Sequence, residues 1–438
     1  MEKRRQTNRA LALFLPSIAV SVPSGVAFLS SMKPQLRPLH GTKTPNLPPF
    51  FERIEQESNF WRTIVTKQNN KKDDNQRIPC DPSLLDADGP LPAGAYQILG
   101  NIQQEPKPTC RLSISMDTRV LFQSDENEAV SKLHQFMDCG FNTFQLDDEL
   151  VGVYRKLRAD TPETVLNACQ FINTFQTPCN SIMAQPSIVR DEILHILRRN
   201  GGDCMDTLEL KYTSGSDYHL DVLNVLTDLQ REGFVRSIIT KDFSPDLLRQ
   251  AASCGFAIDA NKISCNLFNP MPYTKELQLA CFDLKLPLRV SSPLAGGMLT
   301  DKYAGIQREP PPWELLPVER NYVNHAITRW AKNIKGDNRW NIYQEYMMDT
   351  LIDIAHKHGV SVTLVSLRWA MQLDHVASVI VPCDYEPEKL RKVFCFELDD
   401  DDMDRLWKAT GEEGLVVESN FMDGDSDLPD LSNTKLWL

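Results

Sequence analysis

From about residue 109 onward the chain alternates short apolar or β-branched runs with stretches whose apolar residues recur every three to four positions. The runs are Arg111–Ser115, Phe141–Leu146, Ser181–Gln185, Thr207–Tyr212, Val235–Thr240, Lys262–Leu267, Leu286–Ser292 and Ala377–Pro382. Helical patterns separate them, among them Glu126–Cys139, Ile188–Asn200, Leu220–Glu232, Pro245–Cys254, Asn341–His358 and Pro387–Val393. Short runs of this kind read as buried strands, and the intervening periodicity as helices that cover them. Eight such strands alternating with helices over about 300 residues predict an α/β fold, a (β/α)8 TIM barrel. A doubly wound sheet would alternate too. No Gly-x-Gly-x-x-Gly follows any strand, however, so nothing holds a pyrophosphate on a helix start. A Gly-Lys-Ser/Thr phosphate loop and a Gly-x-Ser-x-Gly elbow are also absent.

The two ends read differently. Residues 1–27 run from a basic stretch (Lys3, Arg4, Arg5, Arg9) through the apolar Ala10–Val22 to the small-x-small Gly25-Val26-Ala27. That order is signal-peptide-like. The apolar run is too short, and too broken by Pro16 and Pro23, for a spanning helix. Phe28 follows, and the stretch to Phe51 carries Lys33, Arg37 and Lys43 without an acid. A signal peptide, a Phe and a basic acid-free stretch resemble the bipartite presequences of complex plastids, so a plastid is the expected location. The secretory pathway and the mitochondrion are the alternatives. Residues 28–105 are thus transit-peptide-like sequence and linker. Within them 50–67 has a helical pattern (Phe51, Ile54, Phe60, Trp61, Ile64), and Gln68–Arg77 is polar and of low complexity. The barrel is expected over 106–415, and 416–438 is an acidic tail with Asp423, Asp425, Asp427 and Asp430.

Charge and cysteine content narrow the partners. A formal net charge of −12 repels phosphate backbones, which excludes nucleic acid. No stable membrane insertion is expected after processing. The 11 cysteines are scattered, with no Cys-x-x-Cys, and most sit in apolar runs such as Ile263-Ser264-Cys265-Asn266-Leu267. They read as small buried hydrophobes of a reduced compartment, which argues against secretion.

Several stretches resemble the aldo-keto reductase superfamily. Gly140-Phe141-Asn142-Thr143-Phe144 is similar to its second barrel strand and Asp206-Thr207-Leu208-Glu209-Leu210 to its fourth. Leu229–Arg236 is similar to the turn entering strand five, and Ser292–Tyr303 (SPLAGGMLTDKY) to the loop after strand seven, the most specific match. Ile354–Trp369 and Phe396–Leu406 extend the resemblance, which spans roughly 106–410.

The resemblance implies NADPH-dependent carbonyl reduction, in which a Tyr gives the proton, a Lys lowers its pKa, an Asp holds the Lys and a His orients the carbonyl. The equivalent positions here are Gln145 for the Asp, Leu150 for the Tyr, Gln185 for the Lys and Lys211 for the His. Leucine has no proton to give. A register slip of two residues would turn Asp147 inward. Tyr154 would then stand seven residues from it rather than five, and the third strand would still lack a Lys. The cofactor-binding positions are changed as well. Lys241 and Asp242 replace the Ser/Thr-Asn pair that holds the carboxamide, Lys262 replaces the strand-six Gln, and Ser291 replaces the stacking aromatic. Ser292, Leu294 and Ala295 keep the loop that wraps the pyrophosphate in relatives. At the far end Cys383, Asp384 and Glu386 stand for the phosphate-binding cation, and Leu390 or Val393 for the adenine-binding Asn. Acids there would repel a 2′-phosphate.

The sequence therefore predicts an aldo-keto reductase-like barrel that is inactive as a carbonyl reductase and acts in ligand binding or as a scaffold. NADP(H) is the cofactor if there is one. A diverged NADPH-dependent oxidoreductase of an aldehyde or ketone is the alternative, and a lysine-based lyase or isomerase a second. Lys211, Lys241 and Lys262 are expected at the mouth, either as a site for a small anionic ligand or as a polar plug neutralised by Asp206, Glu209, Asp242 or Asp147. No metal site is expected. His356 and His358 point apart on a helix, and Glu397–Asp404 reads as a helix start whose acids suit the dipole.

Overall fold

The computed structural model describes residues 91–98, 107–117, 125–147, 149–270, 272–334 and 338–411, all within one unit, Leu47–Leu438. The signal-peptide-like segment 1–27, the helix expected over 50–67, the polar stretch Gln68–Arg77 and the tail 416–438 lie outside these residues.

A short antiparallel hairpin, β1 (Tyr96–Ile98) and β2 (Pro108–Cys110), precedes the barrel. The Tyr96 hydroxyl donates to the Gly140 carbonyl at 2.6 Å, which ties the hairpin to the turn entering the second barrel strand. The barrel strands are β3 (Leu112–Met116), β4 (Thr143–Leu146), β5 (Gln170–Gln176), β6 (Met205–Lys211), β7 (Val235–Lys241), β8 (Ala260–Ser264), β9 (Leu288–Ser291) and β10 (Val376–Pro382). Each pairs in parallel with the next, and β10 closes onto β3. The eight-stranded barrel expected from the sequence is present.

The connecting helices are α1 (Glu126–Asp138), α2 (Val151–Asp160), α3 (Glu163–Ala168), α4 (Pro186–Arg199), α5 (His219–Arg231), α6 (Pro245–Ser253) and α7 (Lys275–Leu284). After β9 come α8 (Pro317–Tyr322), which runs through a π turn into α9 (Thr328–Asn333), then α10 (Arg339–Ile342). A second π segment at Tyr343–Met348 leads into α11 (Asp349–His358), followed by α12 (Val362–Met371). α13 (Pro387–Arg391) and α14 (Asp400–Ala409) close the fold. Polar caps set several of the starts. Asp125, Ser244, Thr274, Ser361 and Asp399 each accept from the backbone N–H three residues on. Each cap is worth about 1 kcal/mol.

One strand differs from the sequence expectation. Ser181–Gln185 is not a strand; it forms turns ahead of α4, and the third barrel strand is Gln170–Gln176. Ile182 and Met183, which suggested a buried run, are 65% and 42% exposed.

The main core lies between the outer face of the sheet and the helices, where α5 buries Val222, Leu223, Leu226 and Leu229 and α12 is buried along nearly its whole length. Full burial of each aliphatic side chain is worth about 1.5–3 kcal/mol. Among the described residues the apolar side chains inside the barrel are few and include the small cluster Ile172, Ile239 and Ala260, and Ile380, the register partner of Ser113. Barrel interiors are ordinarily filled by branched apolar side chains. Most of this lumen is polar. Far from it, His358 Nε2 and Lys357 Nζ both meet the buried Asp402, at 2.7 and 2.8 Å, so α11 is clamped to α14. Asp399 and Asp402 form a capping box, which is the helix start expected of this acidic stretch. Among the described residues no helix is long and apolar enough to cross a membrane.

The described cysteines are free thiols, of which Cys179 and Cys254 are exposed. Burial pushes Cys110, Cys169 and Cys383 up to about 12. Because the thiolate is the reactive form, iodoacetamide at pH 8 should label Cys179 and Cys254 within minutes and spare those three until the chain is unfolded. Peptide mapping after timed alkylation reads the order. Early labelling of Cys110 or Cys169 would contradict this packing.

Candidate functional site

Successive side chains of a strand point to opposite faces, so every second barrel residue enters the lumen. Three contacts that skip a strand identify the inward set. Lys262 on β8 reaches Glu209 on β6, with Nζ 2.6 Å from the carboxylate. The same Nζ donates to Gln145 Oε1 on β4, across the barrel, at 3.1 Å. Arg289 on β9 passes β10 and donates to Ser113 Oγ on β3 at 2.9 Å. Gln145 also donates to Thr174 at 3.3 Å, and Ser113 shares a hydrogen bond with Ser378 at 2.7 Å. These side chains form two polar groups inside the barrel, Lys262–Glu209–Gln145–Thr174 and Arg289–Ser113–Ser378.

Register extends these groups to the rim. Lys211 is opposite Lys241, Lys241 is opposite Lys262, and Lys262 is opposite Arg289. Partners in parallel strands share a face, so four cations on four consecutive strands line one side of the lumen. They run from half-buried at the rim (Lys211, Lys241) to 4% and 1% exposed within (Lys262, Arg289). Burial, countered by Glu209 and reinforced by Lys241 and Arg289, lowers the Lys262 ammonium to about 8. Burial also lowers the Arg289 guanidinium to about 10, again countered by Glu209. One buried carboxylate thus serves two buried cations.

The expected site residues divide into those the fold brings together and those it does not. Gln145, Lys211, Lys241 and Lys262 share the lumen and its rim, whereas Gln185 lies outside the third strand, as the residue before α4. The strand that does occupy that place, Gln170–Gln176, contains no lysine. Leu150 sits at the start of α2, 1% exposed and within the apolar core. Tyr154, one turn further, packs edge-on against Phe171 with ring centroids 5.2 Å apart, on the outer side of the sheet. Asp206 is not a counter-charge at the mouth. It lies at the opposite end of β6, 2.7 Å from Lys107. Glu209 does neutralise a lysine, and that lysine is Lys262. Asp242 follows β7 with φ 60°, the left-handed region that an Asn tolerates better.

The loop after β9 is folded on itself. Ser292 and Ala295 have φ of 58° and 48°, and Gly296 and Gly297 follow in the same left-handed region. The amides of Ala295, Gly297, Met298 and Leu299 donate to carbonyls of residues 292–295. Leu294 and Ala295 are buried, and a Cβ on Gly296 would come within 2.8 Å of the Tyr322 ring. Ser291 Oγ donates to the Ile263 carbonyl at 3.1 Å. Glu319, 2% exposed, approaches Gly297 and pairs with Lys302. At the end of β10, Asp384 is exposed and lies 3.8 Å from Lys132, and Cys383, Leu390 and Val393 are buried.

The residue missed in the sequence is Arg289. Its only signal was a lone cation inside the apolar Leu286–Val290. Glu209→Gln leaves Lys262 and Arg289 without their shared carboxylate, whereas Lys262→Met leaves Glu209 facing Arg289. Breaking a buried pair costs roughly 3–5 kcal/mol. Lys262→Met should fall at or below the low end of that range and Glu209→Gln nearer the high end, measured by urea unfolding at pH 7. The reverse order would mean that Glu209 does not serve both cations.

The model of the aldo/keto reductase family matches residues 175–410. A comparison with curated proteins found no match. Among solved structures the fold resembles a glycerol dehydrogenase from Gluconobacter oxydans, with 16% identity and TM-score 0.57 over 72% of this chain and 95% of that one. It also resembles a thermostable aldo-keto reductase solved in complex with the inhibitor epalrestat, with 16% identity and TM-score 0.52 over 72% of this chain and 99% of that one. The family match spans more than half of the sequence and the closed eight-stranded barrel agrees with it, so the chain belongs to the aldo/keto reductase family.

Proposed function

We propose that this member of the family has left carbonyl reduction and works as a ligand-binding or scaffold barrel. The observation that carries the reading is the Lys262–Glu209 pair. It fills, with a buried charge, the place where the resemblance puts a glutamine against the nicotinamide. Chemistry at this rim needs a proton donor. Leu150, in the tyrosine's place, has no proton to give, and Gln170–Gln176 carries no lysine to lower a donor's pKa, where general acid catalysis is worth 10²–10⁴-fold. Tyr154, the one tyrosine near the family's position, is packed into the outer layer, where burial raises its pKa.

The residues in place of the cofactor contacts do not fit NADP(H). An oxidised nicotinamide is a cation and would stand among Lys241, Lys262 and Arg289. The pyrophosphate would meet a loop whose amides are largely donated within the loop, with the Glu319 carboxylate beside Gly297. Asp384 and Glu386 at the end of β10 oppose a 2′-phosphate. A lysine-based lyase or isomerase is the second reading, favoured by the lowered Lys262 ammonium. The contacts to Glu209 and Gln145 that close Lys262 in favour the binding role.

Titrating the full-length protein with NADPH, followed by cofactor fluorescence, tests the reading. No saturable change is expected below millimolar NADPH, and no turnover of an aldehyde panel. Binding in the micromolar range, or turnover abolished by a substitution at Asp147 or Tyr154, restores the oxidoreductase alternative.

We further propose, on the order of residues 1–51, that the protein is imported into a plastid after removal of a leader. N-terminal sequencing of the native protein should begin at Phe28 or later. An intact Met1 ends the proposal.

A further inference from the structure

We infer that the row of cations Lys211–Lys241–Lys262–Arg289 is a binding site for a compact oxyanion with two or more negative charges, a phosphate or phosphate monoester. The inference rests on the reading that no nicotinamide occupies the mouth. Its geometry is the cross-strand register. Neighbouring strands lie about 4.8 Å apart, and the four cations occupy consecutive partner positions on one face of β6, β7, β8 and β9. Like charges placed opposite one another repel, so the row costs stability unless something compensates.

Within the lumen the compensation is incomplete. Glu209 is the acid that bears on both Lys262 and Arg289. Arg289, 1% exposed, places one N–H on Ser113, and its Nε has no hydrogen-bond partner among the described residues. The buried Lys262 and Arg289 set a positive floor beneath lysines that rise to the rim, and that field draws an oxyanion to the rim. Glu209 keeps the floor from becoming too positive to fold. Lys211 and Lys241 at the rim are the groups an incoming anion meets first.

The size of the site sets the ligand class. The small apolar cluster Ile172, Ile239 and Ala260 and the polar side chains of Gln145, Thr174 and Ser113 already occupy the lumen, so the anion is bound at its upper end. A phosphate group there is met by Lys211 and Lys241 at the rim, with any organic portion directed out of the mouth.

The test returns the rim to the family's residues. Isothermal titration of the full-length protein with inorganic phosphate, against chloride at matched ionic strength, should give saturable binding in the millimolar range or tighter. Lys211→His with Lys241→Ser should weaken it at least tenfold, with unchanged circular dichroism. Arg231→Gln, which removes an exposed cation in the last turn of α5, ahead of the start of β7, should leave it unchanged. Wild-type heats no different from chloride, or equal binding by wild type and the double variant, overturn the site. NADPH titrated in parallel, with and without excess inorganic phosphate, separates the two failures. Binding of neither phosphate nor NADPH sinks the anion site alone, whereas tight NADPH binding that phosphate does not displace sinks the reading beneath it.

Discussion

Closing eight parallel strands into a barrel sends every second side chain into one narrow space, and whatever enters it must be satisfied there. In this chain the space receives Lys262, Arg289 and Glu209 where barrels ordinarily place branched apolar residues. The Glu209 carboxylate is the constraint on which the rest depends. It lies 2.6 Å from Lys262 and its charge also supports Arg289, so two cations stay buried. Gln145 completes the set from the opposite wall. A buried pair of this kind is weak evidence of stability by itself, since desolvation offsets most of the attraction. Its retention among further cations is better explained by what the mouth does.

The same residues explain how a family fold and an unfamiliar site coexist. The outer layer is made of apolar side chains from the helices and from the outward face of the sheet. A barrel can therefore exchange its inward residues and keep its architecture. Tyr154 belongs to that outer layer, packed on Phe171, and Leu150 has joined the core at the start of α2. The loop after β9 has a left-handed backbone at Ser292, Ala295, Gly296 and Gly297, its amides turn inward, and Tyr322 closes over Gly296.

Most of the fold was legible because outward strand faces and helix stripes write themselves as apolar periodicity. β5 was the exception. Its inward residues include Thr174 and Gln176 because the lumen is polar, so Gln170–Gln176 did not read as an apolar run, whereas the exposed Ile182 and Met183 did. Gln185 was placed on the wrong element for that reason. The counter-charges were partly legible. Asp206 and Glu209 both precede Lys211 closely in sequence, but five residues of strand span about 17 Å. Asp206 is therefore at the other end with Lys107. That Glu209 serves Lys262 rather than Lys211, and that Arg289 continues the row, follows from register and strand tilt, which no single strand records.

The central claim of the proposed reading is that this chain's own buried ion pair stands where the resemblance puts the glutamine that holds the nicotinamide, and so leaves the cofactor no seat. A crystal structure of the full-length protein grown with excess NADPH tests it most directly. The account predicts Lys262 Nζ between Glu209 and Gln145, with no dinucleotide against Ser291 or the loop at Ser292–Ala295. A nicotinamide ring seated against Ser291, with the Lys262–Glu209 pair broken to admit it, would contradict the account.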